Sequence, residues 1–338
     1  MERIAALQEW LGRIFPSRNW RIEPASADAS FRRYFRVTFQ DGVGSAHESL
    51  IVMDAPPDKE DCRPFIHVAG LLLDAGLNAP KVLAEDLAQG FLLLTDLGGT
   101  TFLAALKEDE SRADDLFRDA TDALVRWQLA SRPGVLPPYD EALLRRELDL
   151  FPDWYVAKHL KIALSAEQQR VLQQTFAKII ENNLAQPSVY VHRDYMPRNL
   201  MLSHPNPGIL DFQDAVYGPI TYDVASLFRD AFISWEEERA LDWSVRYWDK
   251  ARRAGLPVHT DFSEFYRDME WMGLQRHLKV LGIFARINYR DGKPAYLEDT
   301  PRFVRYVRSV AGRYNALGPL LRLFDELESS QPGIGYTF

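Results

Sequence analysis

The chain predicts an α+β fold in two parts, a small N-terminal lobe built on an antiparallel sheet and a large, mostly helical C-terminal lobe. Three observations carry that prediction. Before residue 98 the apolar residues fall mainly in short strand-like runs, whereas after Gly98-Gly99 they recur at helical spacing. A length of 338 residues exceeds what one hydrophobic core usually fills. A polar, loop-like stretch from His192 to Asn199, flanked by short apolar runs, interrupts the helical part. The lobes are therefore divided as 1–97 and 98–338.

The elements follow in order. Ile4, Leu7, Leu11 and Ile14 recur at helical spacing near the N-terminus. Strands are expected at Trp20 to Glu23, Phe31 to Phe39, Leu50 to Asp54, Lys81 to Glu85 and Phe91 to Asp96, with Asp41-Gly42 as a turn joining the second and third. Between them Phe65, Val68 and Leu72 mark a helix closed by Gly76. Beyond Gly99 helices are expected at about 111–130, 141–160, 166–184, 221–231, 236–254, 263–286 and 301–326. The short apolar runs Ser188 to Val191 and Gly208 to Leu210 read as small strands, with Pro205-Asn206-Pro207 as a turn.

Composition narrows the class. Hydrophobic residues at 46% and charged residues at 26% are ordinary globular values, which exclude disorder for the whole chain. A net charge of −8 argues against broad binding to nucleic acid or an anionic membrane surface. No apolar run reaches the roughly 20 residues that span a bilayer. The sole cysteine, Cys62, has no partner for an internal disulfide, and no leader segment is read at the start, so a cytoplasmic location is expected. The seven histidines include no zinc-binding arrangement. A small-molecule substrate is expected, with no obligate protein partner.

The chemistry-bearing stretch is Val191-His192-Arg193-Asp194-Tyr195-Met196-Pro197-Arg198-Asn199, followed by Gly208-Ile209-Leu210-Asp211-Phe212-Gln213-Asp214. Its H-x-D-x-x-x-x-N spacing and second aspartate are the base and metal arrangement of a phosphoryl-transfer site. Magnesium takes oxygen ligands, typically one or two from the protein beside the phosphates. Asn199 and Asp211 supply such oxygens, and Asp194 is placed to accept the proton of an attacking hydroxyl. A largely dissociative transition state asks the protein mainly for positioning and charge neutralisation, so this set is a sufficient minimum. His192 reads as a scaffold residue. Any one of these residues alone would be read as a cap or surface group; two motifs in order and close together are harder to explain so.

Nucleotide contacts are sought in the first lobe. Leu92 to Leu97 is a strand running out into Gly98-Gly99, and its main chain around Thr95 and Leu97 can pair with an adenine edge. Ser26 to Ser30 is a small-residue turn before Phe31-Arg32-Arg33-Tyr34-Phe35-Arg36-Val37, whose alternation puts Phe31, Arg33, Phe35 and Val37 on one face. Arg33 on that apolar face is a candidate phosphate contact, or else an ordinary strand arginine, solvated or paired with a carboxylate.

The H-R-D-x-x-x-x-N loop, the I-L-D-F-Q-D segment, L-L-T-D-L-G and the following Tyr222-Asp223-Val224-Ala225 resemble the aminoglycoside phosphotransferase and choline kinase branch of the protein-kinase-like fold. S-F-R-R-Y-F-R-V, I-V-M-D-A-P-P, Gly90 to Gly99 and Gln275 to Gly282 are similar to bacterial anomeric kinases of N-acetylmuramate and N-acetylglucosamine, which serve cell-wall recycling. The resemblance implies ATP and Mg2+, the sugar C1 hydroxyl as nucleophile and a sugar 1-phosphate as product. It implies Asp194 as general base, Asn199 and Asp211 as metal ligands, Ser30 in the phosphate loop, Thr95 and Leu97 at adenine, and Asp223 as a buried scaffold carboxylate. One departure stands out: the third strand, Leu50 to Asp54, carries Met53 where the wider fold has a lysine, so either Arg32 or Arg33 substitutes or nucleotide binding is weak. A kinase of another small alcohol (aminoglycoside, choline or homoserine) and a non-catalytic nucleotide-binding protein are the alternatives.

For the acceptor, a lactyl carboxylate would call for a cation, best a bidentate arginine. On Trp271 to Arg286 an apolar stripe of Trp271, Leu274, Leu278, Leu281 and Ala285 leaves Arg276, Lys279 and Arg286 off the stripe, either as a solvated basic face or as part of a substrate site.

Overall fold

The computed structural model describes residues 2–26, 31–40 and 49–330. Its elements in chain order are α1 (Glu2–Ile14), β1 (Trp20–Ser26), β2 (Arg33–Phe39), β3 (Ser49–Asp54), α2 (Arg63–Asp74), β4 (Val82–Asp86), β5 (Phe91–Thr95), α3 (Phe102–Glu108) and α4 (Ala113–Leu129). There follow α5 (Glu141–Leu150), α6 (Ala166–Leu184), β6 (Ser188–Val191), β7 (Leu200–Met201), β8 (Gly208–Ile209), β9 (Val216–Pro219), α7 (Tyr222–Phe228), α8 (Glu237–Arg253), α9 (Phe262–Asp291), α10 (Thr300–Arg313) and α11 (Gly318–Ser329). Contacts divide the chain into two compact units, 1–126 with 198–214 and 127–197 with 215–338. Position 97, the expected lobe boundary, lies just beyond the last sheet strand; the contacts group the helices up to 126 and the segment 198–214 with that sheet.

In the first unit the five strands pair antiparallel in the order β1-β2-β3-β5-β4. Alternation sorts their side chains. Phe35, Val37 and Phe39 of β2, Val52 of β3 and Phe91 and Leu93 of β5 form one face, buried under Leu7, Trp10 and Leu11 of α1. Each such side chain contributes about 1.5–3 kcal/mol on full burial, and truncating the fully buried Leu11 to alanine would cost about 2–5 kcal/mol. Tyr34, Arg36, Ile51 and Leu94 point to the other face, which lines a cleft. The expected strands are all present; the Asp41-Gly42 turn lies outside the described residues. The short helix α3 lies outside the helices expected from the sequence; its start is fixed by Thr101, whose hydroxyl accepts the Ala104 N–H at 3.1 Å.

The second unit is helical apart from the two-stranded pair β6-β9. The helix expected over 141–160 changes winding: α5 ends at Leu150 and residues Phe151–Leu160 continue as a wider π-helix, with Pro152, which has no N–H, at the changeover. Lys161 ends it in a left-handed conformation, φ 58°, its N–H returning to the Val156 carbonyl. Gly282 of α9 lets the end of α5 come close, since a Cβ there would stand 2.3 Å from the Leu150 carbonyl oxygen. The helix expected over 301–326 is two, α10 and α11, because Tyr314 turns extended and Pro319 begins a new first turn. No described helix is long and apolar enough to cross a membrane.

Candidate active site

In the second unit the His-Arg-Asp loop leaves β6 and is held from α7. Asp223, fully buried, accepts the main-chain N–H of His192 at 2.7 Å and of Arg193 at 3.0 Å. Those two bonds hold Arg193 in a left-handed conformation, φ 77°, which a non-glycine residue adopts only when its surroundings impose it. Burial pushes the Asp223 carboxyl up to about 7, with the two amides opposing. His192 is buried, meets Tyr195 edge to face and accepts the Asp194 N–H on Nδ1 at 3.3 Å. Asp194 itself stays half-buried at the end of this turn.

The Arg193 side chain is anchored too. It pairs with Glu147 of α5, which also receives Lys279 of α9 at 2.9 Å and the Tyr139 hydroxyl. Burial pushes Glu147 up, but the charges of Lys279 and Arg193 outweigh it and hold the carboxyl below its usual value. A buried carboxylate with three donors is a satisfied one, so the loop is fixed at both backbone and side chain.

In the first unit a β7-β8 hairpin does the corresponding work for Asn199 and Asp211. Leu200 pairs with Ile209, and the Leu210 N–H donates to the Asn199 carbonyl at 2.9 Å, which sets Asn199 beside Asp211. Asp211 is left-handed, φ 61°. Its Oδ2 accepts the Asn199 amide at 3.3 Å and its Oδ1 the Gln213 amide at 2.9 Å. Phe212 is buried against Phe65 of α2, ring centroids 4.8 Å apart. With its amide turned over, Asn199 would present an oxygen next to the Asp211 carboxylate, a donor pair suited to magnesium, which keeps water and phosphate oxygens as its remaining ligands. No group of three or more His, Cys, Asp or Glu among the described residues could form an all-protein cage.

Asn199 and Asp211 border a cleft of about 290 Å³ that the sheet roofs with Tyr34, Arg36, Ile51 and Leu94 and that Thr95 to Gly99 edge. Arg36 spans its rim, donating to Asp96 at 2.6 Å and to the Gly98 carbonyl at 2.9 Å, while Ser49 also donates to Asp96 at 2.7 Å. Burial raises the Asp96 carboxyl, but bonds from Arg36, Ser49 and the Gly98 N–H bring it below its usual value. No described residue bonds the main-chain N–H or C=O of Leu97, leaving them for a base edge. The Thr95 N–H is taken by the Lys81 carbonyl at 3.1 Å.

The expected site residues therefore separate. Asn199, Asp211, Thr95 and Leu97 meet in this cleft; Asp194 belongs to the second unit, whose chain runs into the first at Pro197-Arg198. Arg33 points away from the cleft and pairs with buried Asp54, as does Arg3 of α1, which is the strand-arginine alternative. Arg32 pairs with Glu60 at 2.8 Å. Phe31 is exposed, 6.0 Å from the Lys59 ammonium, and does not line the cleft. Ser30 lies outside the described residues. On β3, Ile51 faces the cleft and Met53 is buried; Arg36, directly across from Ile51 on β2, is the arginine that the sheet offers there. Alternation marks Arg33 by its apolar neighbours and leaves Arg36, on the other face with Arg32 and Tyr34, without such a mark. Glu147 and Tyr139 carried no sequence signal, since their roles arise only from packing.

An antiparallel sheet over a cleft with an Asn-Asp pair, and a helical unit holding a His-Arg-Asp loop by a buried aspartate, define a phosphotransferase of the protein-kinase-like fold. The chain belongs to the phosphotransferase enzyme family, whose model matches residues 21–256. Over 341 residues it is 51% identical to the N-acetylmuramate/N-acetylglucosamine kinase of Neisseria meningitidis serogroup B, covering all of both chains. Among solved structures, choline kinase from Cryptosporidium parvum Iowa II is similar with a TM-score of 0.63 at 11% identity, covering 94% of this chain and 99% of that one. A thermostable mutant of an aminoglycoside phosphotransferase, in a ternary complex with AMP-PNP and hygromycin B, is similar with a TM-score of 0.59 at 14% identity, covering 90% and 98%.

Proposed function

We propose that this protein is an ATP-dependent kinase that phosphorylates the anomeric C1 hydroxyl of N-acetylmuramate and N-acetylglucosamine, giving the sugar 1-phosphate and ADP. The observation that carries the phosphoryl-transfer part is the Asn199-Asp211 pair, bordering a cleft that the open main chain of Leu97 also edges. The acceptor is supported by the full-length relative at 51% identity.

In this reading the Leu97 main chain orients the adenine, and Arg36 with Asp96 keeps the edge of the cleft in shape. Asn199 and Asp211 hold magnesium, which offsets phosphate charge. Asp194 accepts the C1 hydroxyl proton as the sugar oxygen bonds to the γ-phosphorus and the bond to the ADP oxygen breaks. Asp223 and Glu147 act earlier, by fixing the loop that carries Asp194, so that less freedom is lost when the acceptor binds.

ADP release is measured with ATP and magnesium against N-acetylmuramate, N-acetylglucosamine, an aminoglycoside, choline and homoserine, with phosphorus NMR on any product. A 1-phosphate from an N-acetyl sugar is expected. Turnover confined to another alcohol would move the acceptor assignment, and silence across the panel despite ATP binding would count against catalysis.

A further inference from the structure

Among the described residues of the second unit, several buried or half-buried cations have carboxylate partners. Arg193 and Lys279 pair with Glu147, Arg229 and Arg313 with Glu270, and Arg302 with Asp299. Arg276 of α9 differs. It is only 6% exposed, its guanidinium lies 5.2 Å from the centre of the Tyr222 ring, and no carboxylate of a described residue stands within ion-pair distance. Its Nε is fully buried and has no hydrogen-bond partner. A buried cation left without a paired anion is costly, which points to a partner that the chain does not itself supply.

Its surroundings tie it to the transfer site. Asp194, Asp223 and Asp230 are the carboxylates that act on it electrostatically, and each has another engagement: Asp194 is the proposed base, Asp223 accepts two loop amides, and Asp230 accepts the Ala231 N–H. Burial works against the charge of Arg276, but Tyr222 and Asp194 offset that and keep the guanidinium protonated. Burial raises Asp223 and Asp230 to about 7, which weakens their repulsion of an incoming anion near neutral pH.

N-acetylmuramate differs from N-acetylglucosamine by a lactyl ether at C3 that ends in a carboxylate. We propose that Arg276 binds this carboxylate and so sets a preference for N-acetylmuramate over N-acetylglucosamine. The inference rests on the acceptor class proposed above. A guanidinium offers two parallel donors to a carboxylate, and such charge-assisted pairs are stronger than neutral ones. N-acetylglucosamine leaves those donors unused.

The test compares kcat/KM for the two sugars in the wild type, Arg276→Gln and Arg276→Lys. Arg276→Gln is expected to lose about 10- to 100-fold with N-acetylmuramate beyond any loss with N-acetylglucosamine, and Arg276→Lys to recover part of the ratio. Equal losses with both sugars would reduce Arg276 to a structural counter-charge and overturn the proposal. Should the variants fail to fold, the wild type is assayed with the lactyl methyl ester of N-acetylmuramate. The ester is expected to fall by a similar factor, and an ester used as well as the acid overturns the proposal. A wild type inactive on both sugars would instead sink the proposed function, and this inference with it.

Discussion

The Asp223 carboxylate accepts the consecutive main-chain amides of His192 and Arg193, at 2.7 and 3.0 Å, and so holds Arg193 left-handed one residue before Asp194. Two amides need two acceptor oxygens. In Asp223→Asn one oxygen becomes an NH2 facing an N–H, which costs about 1–3 kcal/mol for the unpaired group. Displacing Asp194 is expected to lower kcat on the order of 100-fold while ATP affinity changes little. Denaturant unfolding and steady-state kinetics check both parts.

Asp211→Asn should separate activity from stability. Asparagine keeps the shape of the side chain and one oxygen to accept from Asn199 or Gln213, so the unfolding midpoint should move little, by about 1–2 kcal/mol at most. Activity is expected to fall by about 100- to 1,000-fold, with a higher magnesium requirement. Turnover with normal magnesium dependence would remove Asp211 from the metal site.

Arg33 and Arg36 stand three residues apart on β2 and are expected to behave differently. Arg33→Ala leaves Asp54 still paired with Arg3, so ATP KM should stay within about twofold, with a stability loss of about 1–3 kcal/mol because the buried Asp54 carboxylate loses one of its two arginines. Arg36→Ala releases Asp96 and the Gly98 carbonyl at the cleft, and is expected to raise ATP KM about tenfold. Nucleotide titration of both variants tests the contrast; a larger effect at Arg33 would restore it as the phosphate contact.

Asp230 links stability to pH. Burial raises its folded-state value to about 7, against about 3.9 in an unfolded chain. Between those values the folded protein holds a proton that the unfolded chain has lost, so this carboxyl favours folding below about pH 4 and loses that contribution as pH rises through 7. Asp230→Asn removes the effect. Its stability should fall less steeply than the wild type's between about pH 5 and 7, as thermal melts across that range would show; parallel slopes would mean that Asp230 ionises normally.

Local pattern made much of the fold readable. Alternation in Arg33 to Phe39 and helical spacing in Ile4 to Ile14 each describe one element and its buried face, and both persist in the structure. Interruptions were harder to read. The π-helix after Pro152 and the break at Tyr314 depend on what each segment packs against, as does Gly282 at the Leu150 carbonyl. The three basic residues Arg276, Lys279 and Arg286 were visible off the apolar stripe of α9, but a solvated face and an interior one look alike in a single helix; the structure buries Arg276 and leaves Lys279 and Arg286 partly exposed.

The sequence by itself determined the His192-Asp194-Asn199 spacing and the following Asp211, because these residues lie close together along the chain, on one loop and the hairpin after it. Tertiary structure alone decided that Asp223 and Glu147 anchor this loop, that Arg36 rather than Arg33 faces the cleft, and that Arg276 is buried with no ion-pair partner among the described residues. Those pairings join residues tens of positions apart, whose distance and burial, and hence whose charge interactions, are set only when the helices and sheet pack.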